Sequence, residues 1–341
     1  MKLKSDWVYN YQKGIRSPLT SVSHHIENDK LFFVLEFGSF PYTSLLLELD
    51  LNTQACQVLY EVPHIVRNFV LENERFYFTA MNSYVYCLGK DGSLIWQTKI
   101  GKGNPSMEVT IDGDRIYASN RATFCLDKNS GEILWQNEEY KKPSRCNLLV
   151  HENHIISGEQ GGKVFCLDKM TGEDVWEYGE KEWINECVLF GNGHLLVTDS
   201  SGKFIILDPK TGKFVKEMDA RGKLYQKVVF DAGRMYAGDA DSSMDSTSGN
   251  MTCYEVSGDD LKEVLFYKPG GGISTPARID GEELFFASED GNFYCIDKNT
   301  GEEKAKKKTK GTCHDFIVRG DEVIILSDKG QVEHFSVSEG G

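Results

Sequence analysis

The chain has 341 residues, 40% hydrophobic and 11% aromatic, enough to close a sizeable core and too much for intrinsic disorder. A formal net charge of -14 argues against nucleic acid or an anionic membrane surface as a partner. No apolar run is long enough to span a bilayer, and no secretory signal follows Lys2 and Lys4. The nine cysteines, an odd number with no Cys-x-x-Cys pair, point to a reducing, cytoplasmic setting with free, buried thiols and no disulfide.

In chain order, residues 5–12 come first, with Trp7 set among alternating polar and aromatic residues. Eight units of about 40 residues follow, beginning near residues 18, 65, 104, 144, 184, 225, 273 and 313. Units 18–64 and 225–272 carry weak copies of the pattern. The second unit holds a degenerate copy running from Cys87 through Gly92 to Trp96. In the third, Cys125-Leu126-Asp127-Lys128-Asn129-Ser130-Gly131 leads to Trp135. In the fourth, Cys166-Leu167-Asp168-Lys169-Met170-Thr171-Gly172 leads to Trp176. The fifth repeats Ile206-Leu207-Asp208, and the seventh repeats Cys295-Ile296-Asp297-Lys298-Asn299-Thr300-Gly301.

Each copy has a local physical reading. An apolar strand ends at the Asp, whose carboxylate accepts hydrogen bonds from the turn that follows. The Gly supplies a positive φ, and a new strand then reaches the Trp. Alternating segments upstream, such as Arg115-Ile116-Tyr117-Ala118 after the turn at Asp112-Gly113, bring the count to four strands per unit. The expected fold is therefore an all-β, eight-bladed β-propeller of four-stranded antiparallel blades in a single domain, 1–341. Seven blades would require that one of the two weak units is not a blade. The eighth unit has room for three strands only. Because Trp7 matches Trp96, Trp135 and Trp176, residues 5–12 are expected to supply the missing outer strand and remove an open edge.

The pattern Asp-x-x-Thr-Gly-x-x-x-Trp, preceded by a small residue and a hydrophobic one, resembles the quinoprotein-type (PQQ-like) propeller repeat. The resemblance implies that the tryptophan packs between neighbouring blades. It also implies that Cys87, Cys125, Cys166 and Cys295, at the small position, are core thiols. Quinone-dependent dehydrogenases of this type are usually longer and exported, and the alcohol-oxidising ones carry adjacent cysteines. This sequence has none of these features, so the resemblance points to a non-enzymatic scaffold branch without a cofactor. An envelope-lipoprotein scaffold is weakened by the missing signal and lipidation cysteine.

Other motifs read as structure. His151-Glu152-Asn153-His154 falls in a turn and lacks the helical spacing of a zinc site. Cys313-His314-Asp315 and His24-His25 alternate across a strand and cannot converge on one face. The lysines 304, 306, 307, 308 and 310 fall on an outermost strand, where they protect a sheet edge. The insertion 239–250 offers Asp239, Asp241 and Asp245 as a weak candidate site for a hard cation.

Aligning the units on their innermost strand places Ser23, Asn68, Glu108, Asn147, Cys187, Lys227, Pro276 and Asp315 near the mouth of a central channel. Surrounding loops bring Phe40, Tyr42, His64, Tyr140, Trp183 and Tyr225. Aromatic side chains beside convergent polar groups suit a ligand pocket or a protein-recognition surface. The expected function is a protein- or ligand-binding module acting through this loop face, its partner a protein, a small molecule or a carbohydrate. The alternative is an enzyme acting on a carbohydrate, with Glu108 and Asp315 facing each other across the mouth. Lys128 and Lys169, in the short and similar turns, are expected to matter for neither binding nor stability.

Overall fold

The computed structural model describes residues 2–11, 19–38, 42–102, 108–141, 146–179, 181–242 and 246–338. These residues form two compact units, one of Ile15–Cys187 with Lys210–Lys213, the other of Met1–Gly14, Val188–Pro209 and Phe214–Gly341. The secondary structure is almost wholly antiparallel sheet, and the eight sheets are the blades of an eight-bladed β-propeller.

Blade 1 runs Leu19–Glu27, Lys30–Phe37, Thr43–Asp50 and Cys56–Pro63, and blade 2 runs Val66–Glu72, Arg75–Ala80, Tyr84–Gly89 and Leu94–Lys99. Blade 3 is Thr110–Asp112, Arg115–Ser119, Thr123–Asp127 and Ile133–Asn137; blade 4 is Leu149–His151, His154–Gly158, Lys163–Asp168 and Asp174–Gly179. Blade 5 is Ile184–Phe190, His194–Asp199, Lys203–Leu207 and Phe214–Asp219; blade 7 is Arg278–Asp280, Glu283–Ser288, Asn292–Asp297 and Glu303–Lys308. In all six, hydrogen-bonded order follows chain order. Blade 6 departs from the pattern. Its first strand is broken into Lys223–Leu224 and Val229–Asp231, both paired with Arg234–Ala240, before Met251–Ser257 and Asp260–Tyr267.

Blade 8 is built from Cys313–Arg319, Glu322–Ser327, Gln331–Ser338 and, as its outer strand, Lys2–Asn10. The register runs from Lys2 opposite Ser338 to Asn10 opposite Gln331. Trp7 lies opposite His334, with ring centroids 5.0 Å apart, just as Trp96, Trp135 and Trp176 lie opposite Cys87, Cys125 and Cys166. The N-terminal strand thus completes the last blade, as the match of Trp7 predicts.

Cores form where successive sheets face each other. In the unit of residues 15–187, Phe32 and Val34 of blade 1 meet Phe69, Phe76 and Phe78 of blade 2, and Tyr77 and Cys87 of blade 2 meet Ile116 and Phe124 of blade 3. In the other unit, Phe285 and Phe293 of blade 7 pack with Phe316, Ile325 and Phe335 of blade 8. Period-two strands bury both faces in this way, so their central residues read as near-continuous apolar runs.

The repeated turn explains how blades lock. Asp127 accepts hydrogen bonds from the backbone of Asn129 (3.0 Å) and Ser130 (2.8 Å); Asp168 and Asp297 do the same for their own turns. These donors hold the carboxylates below their usual range, Asp297 down to about 2. Blade 1 carries an unrecognised copy: Asp50 accepts from Asn52 and Thr53, and Gln54 takes the glycine's place at φ 58°. Gly131 has a second duty beyond its φ of 74°. A Cβ there would sit 2.5 Å from the Trp96 ring, and Gly172 and Gly212 stand likewise against Trp135 and Trp176. The indole nitrogens of Trp96 and Trp135 donate to the carbonyls of Lys128 and Lys169, each at 3.1 Å.

The turn lysines are engaged with the preceding blade. Lys128 Nζ reaches Glu72 of the preceding blade at 3.1 Å, Lys169 reaches Asp112 at 2.8 Å, and Lys298 reaches Asp231 at 2.8 Å. Each pair ties a turn to the end of an inner strand one blade back. The thiol position is also more regular than the sequence suggested: Cys253, opposite Leu265, joins Cys87, Cys125, Cys166 and Cys295. Burial pushes all five thiols up, Cys166 and Cys295 to about 12.

Candidate binding surface

Antiparallel order puts two kinds of connection at opposite ends of every sheet. One end carries the first-to-second and third-to-fourth strand turns, including the Asp-Gly turns. The other carries the second-to-third strand loops and the links to the next blade. The second set varies: 120–122 and 200–202 are minimal, whereas 241–250 is a long insertion.

Within the unit of residues 15–187, the polar inner-strand residues are engaged with one another. Asn147 Nδ2 donates to Glu108 Oε2 at 2.5 Å, and Asn68 turns its side-chain oxygen onto the Phe69 amide at 3.0 Å. Asn147 Oδ1 is buried without a partner, an acceptor that suits an ordered water. Trp183, on the link between blades 4 and 5, is 54% exposed. Tyr140 is a correction. Expected at the surface, it is 5% exposed and stacked 4.1 Å from Phe165 with an interplanar angle of 7°. Its ring fills the space between blades 3 and 4, and an aromatic at a link position can fold inward as readily as outward. Tyr42 and His64 are half-buried, with the His64 amide donating to the Tyr42 carbonyl at 2.8 Å. Phe40 and the Ser23 side chain lie outside the described part of the structure.

In the other unit, Tyr225 and Lys227 fall in the break of blade 6's first strand, Tyr225 half-buried and Lys227 exposed. Between them, Gln226 Nε2 donates to the Ser274 carbonyl at 3.1 Å. Asp315 is 6% exposed and bound by Arg278 at 3.0 Å, and it also accepts from the Phe316 amide at 2.9 Å. Glu108 and Asp315 are thus each hydrogen-bonded to a neighbour from the adjacent blade.

The aspartates of the insertion hold the loop together. Asp239, 4% exposed, accepts from the Asn250 amide (2.8 Å) and side chain (3.1 Å), and burial pushes its carboxyl up. Asp241 accepts from Ser246 and, at 2.9 Å, from Thr247. Asp245 lies outside the described residues. Among the described residues, no three His, Cys, Asp or Glu side chains gather as a metal site would need. The lysine run has specific partners: Lys304 pairs with Glu283 (3.1 Å) and Asp297 (3.2 Å), and Lys306 and Lys307 lie over Tyr294 and Phe335.

A shallow depression of about 610 Å³, unanticipated from sequence, lies at the turn end of blades 5 and 6. Gly191, Gly193, Gly233 and Gly258 line it over Phe190 and Phe230. A Cβ on Gly191 would meet the Gly258 carbonyl at 2.0 Å. The only sequence signal was a pair of glycine turns, which reads as chain reversal and not as a concavity.

The repeat, the blade register and the completed last blade all bear on kinship. A family model described as outer membrane protein assembly factor BamB, of the PQQ-like repeat type, matches residues 61–182, 161–252 and 247–341. The chain belongs to this family. No curated protein sequence is matched. Among solved structures, BamB from Moraxella catarrhalis superposes with a TM-score of 0.67 at 14% identity, covering 99% of each chain. Sqt1 of Saccharomyces cerevisiae gives a TM-score of 0.73 at 13% identity, over 99% of this chain and 100% of that one. A europium-containing methanol dehydrogenase gives 0.72 at 12% identity, over 95% and 85% respectively. At these identities the likeness is one of fold, shared by an assembly factor and a dehydrogenase alike.

Proposed function

We propose that this propeller is a protein-interaction module whose partner docks on the loop end of the sheets, with Trp183 at the centre of the contact. The observation that carries the reading is the contrast among the tryptophans. Trp7, Trp96, Trp135 and Trp176 pack against the scaffold, and Trp183 alone is exposed, at 54%. Exposed indole costs solvation and gains most when a partner buries it, which is why tryptophan is enriched among binding hot spots. The family description, an assembly factor, supports a protein as the partner class.

A photo-crosslinking amino acid placed at position 183 or 225, in cells of the source organism, tests this directly. Adducts with a discrete partner are expected from 183, and from 225 if the break in blade 6 takes part. Positions 129 and 170, in the Asp-Gly turns, serve as controls. Adducts from the turn positions and none from 183 would place the contact at the other end of the sheets.

A further inference from the structure

Blade 6 meets blade 5 without the lysine clamp that four other junctions carry. In blades 2, 3, 4 and 7 the clamp residue is marked by its backbone. The amides of Lys90, Lys128, Lys169 and Lys298 donate to the carbonyls of Glu74, Asp114, Asn153 and Glu282 at 2.9–3.0 Å. In blade 6 the equivalent amide is that of Val256, which donates to the Gly233 carbonyl at 2.9 Å. The acid of each clamp closes the first strand of the blade before, as Glu27, Glu72, Asp112 and Asp231 do. Blade 5 closes that strand with Phe190. Both members of the ion pair are thus replaced by apolar residues at one junction, which avoids leaving either charge without its partner.

The consequence is an opening. Each clamp lysine is mostly buried, so its stem covers apolar surface while its ammonium pairs. Val256 is too short to do this, and here the surface stays open as the depression of about 610 Å³. On its floor the rings of Phe190 and Phe230 lie 6.4 Å apart, tilted by 32°, with Leu189 and Val256 half-buried beside them. The rim is low, since a Cβ on Gly193 or Gly233 would meet nothing within 4 Å. Asn192 is exposed on the rim, its Nδ2 3.3 Å from the place of a Cβ on Gly258. The charged rim residues already have partners: Asp231 binds Lys298 and Arg234 binds Asn299, each at 2.8 Å.

We propose that this depression binds a small, uncharged aromatic molecule, its ring laid on Phe190 and Phe230 and its polar edge met by the Asn192 side-chain amide. The volume falls in the range of about 300–1,000 Å³ usual for small-molecule pockets. Two tilted rings on the floor favour an aromatic guest, stacked or edge-on. Glycines on the rim let a flat ring approach the backbone closely. The absence of charge in the guest follows from the lost clamp. With Phe190 in the place of the acid and Val256 in the place of the lysine, an ion entering here would leave water without gaining a counter-charge. The site is separate from Trp183 and stands at the turn end, so it does not depend on the protein contact proposed above.

The test titrates the full-length chain with indole, followed by saturation-transfer NMR. Indole should bind with a dissociation constant of about 1 mM or tighter. Its cationic and anionic relatives, tryptamine and indole-3-acetate, should bind at least about fivefold more weakly. Val256→Lys restores the stem that covers the other junctions and should weaken indole at least about tenfold. Its melting curve reports whether it is folded. If it is not, Asn192→Trp, which sets a ring over the depression from an exposed position, should give the same loss. Trp183→Ala should bind indole as the parent does, which separates this site from the exposed tryptophan. Equal binding by the parent and the folded Val256→Lys variant would overturn the proposal, as would equal binding of indole and its charged relatives. N-acetyltryptophan amide binding more tightly than indole would also overturn it, by assigning the depression to a partner protein's side chain.

Discussion

Replacing Gly131 by Ala should cost the protein about 2–5 kcal/mol, and the structure separates that cost into parts. At φ 74° an L side chain suffers left-handed strain of about 1–2 kcal/mol. The added methyl would stand 2.5 Å from Trp96 Cε3 and 2.8 Å from Thr98 Oγ1, and displacing a packed ring to make room costs about 1–3 kcal/mol. Moving the ring also endangers the bond from Trp96 Nε1 to the Lys128 carbonyl (3.1 Å) and that from Thr98 to the Gly131 carbonyl (2.6 Å). Gly113→Ala is the matched control: its φ is 58°, with nothing within 4 Å of the built Cβ. It should therefore lose only about 1–2 kcal/mol from strain. Urea midpoints for Gly131→Ala, Trp96→Ala and the double variant complete the experiment. With the indole gone, the cost of Gly131→Ala should fall towards that of Gly113→Ala, leaving the contact with Thr98 Oγ1, a coupling of about 2 kcal/mol. Equal losses at the two glycines in the parent protein would refute the ring-on-glycine lock.

Lys128→Met should lower stability by about 0.5–1 kcal/mol, because its side chain, 12% exposed, binds Glu72 one blade back. The loss, read from urea midpoints, should be smaller in a Glu72→Gln background. Asp297 is held at about 2, chiefly by the Asn299 amide, against an ordinary 3.8. Its stabilising effect is thus present above pH 4 and drains away as pH falls towards 2. The stability gap between the parent and Asp297→Asn should narrow over that window, and a gap independent of pH would contradict the assignment. Removing residues 1–10 exposes the edge of Gln331–Ser338 and should produce concentration-dependent aggregation in light scattering, where the full chain stays monodisperse.

Legibility followed repetition. The Asp-x-x-x-Gly turns, the spacing of the tryptophans and the three-strand last unit were enough for eight blades and for the role of residues 5–12. Blade 1 was readable only weakly, because Gln54 replaces the glycine and Tyr60 the tryptophan while Asp50 and Thr53 keep the turn. Cys253 was hidden by Met251-Thr252-Cys253-Tyr254, which lacks the Asp that marks the other copies. The lysine clamps were present as the fixed Lys after Asp127, Asp168 and Asp297. Their partners lie 56 or more residues away in sequence, and no local pattern pairs Lys128 with Glu72 or Lys169 with Asp112. Of the residues aligned on the inner strands, Asn68 and Asp315 lie within theirs, whereas Glu108 and Asn147 fall just before theirs; the lateral pairing of Glu108 with Asn147 and of Arg278 with Asp315 depends on the offset between adjacent sheets, which strand periodicity does not specify.

The tryptophans show how scaffold and surface can be told apart in a repeat protein. A ring that belongs to the lock requires space on its neighbour, and the space is written as a glycine one unit on: Trp96 with Gly131, Trp135 with Gly172, Trp176 with Gly212. Each pair is separated by 35 to 37 residues, nearly one repeat, so the correlation is visible once its cause is known. Trp183 stands outside the outer-strand position, and among the described residues no glycine meets it in this way. It is 54% exposed where the others are half-buried. Tyr140 makes the complementary case: it occupies a link as well, but its ring stacks on Phe165 and completes a core. Residue type and loop position are therefore insufficient to mark a binding aromatic. The criterion is whether a neighbouring blade already supplies the surface that the ring needs.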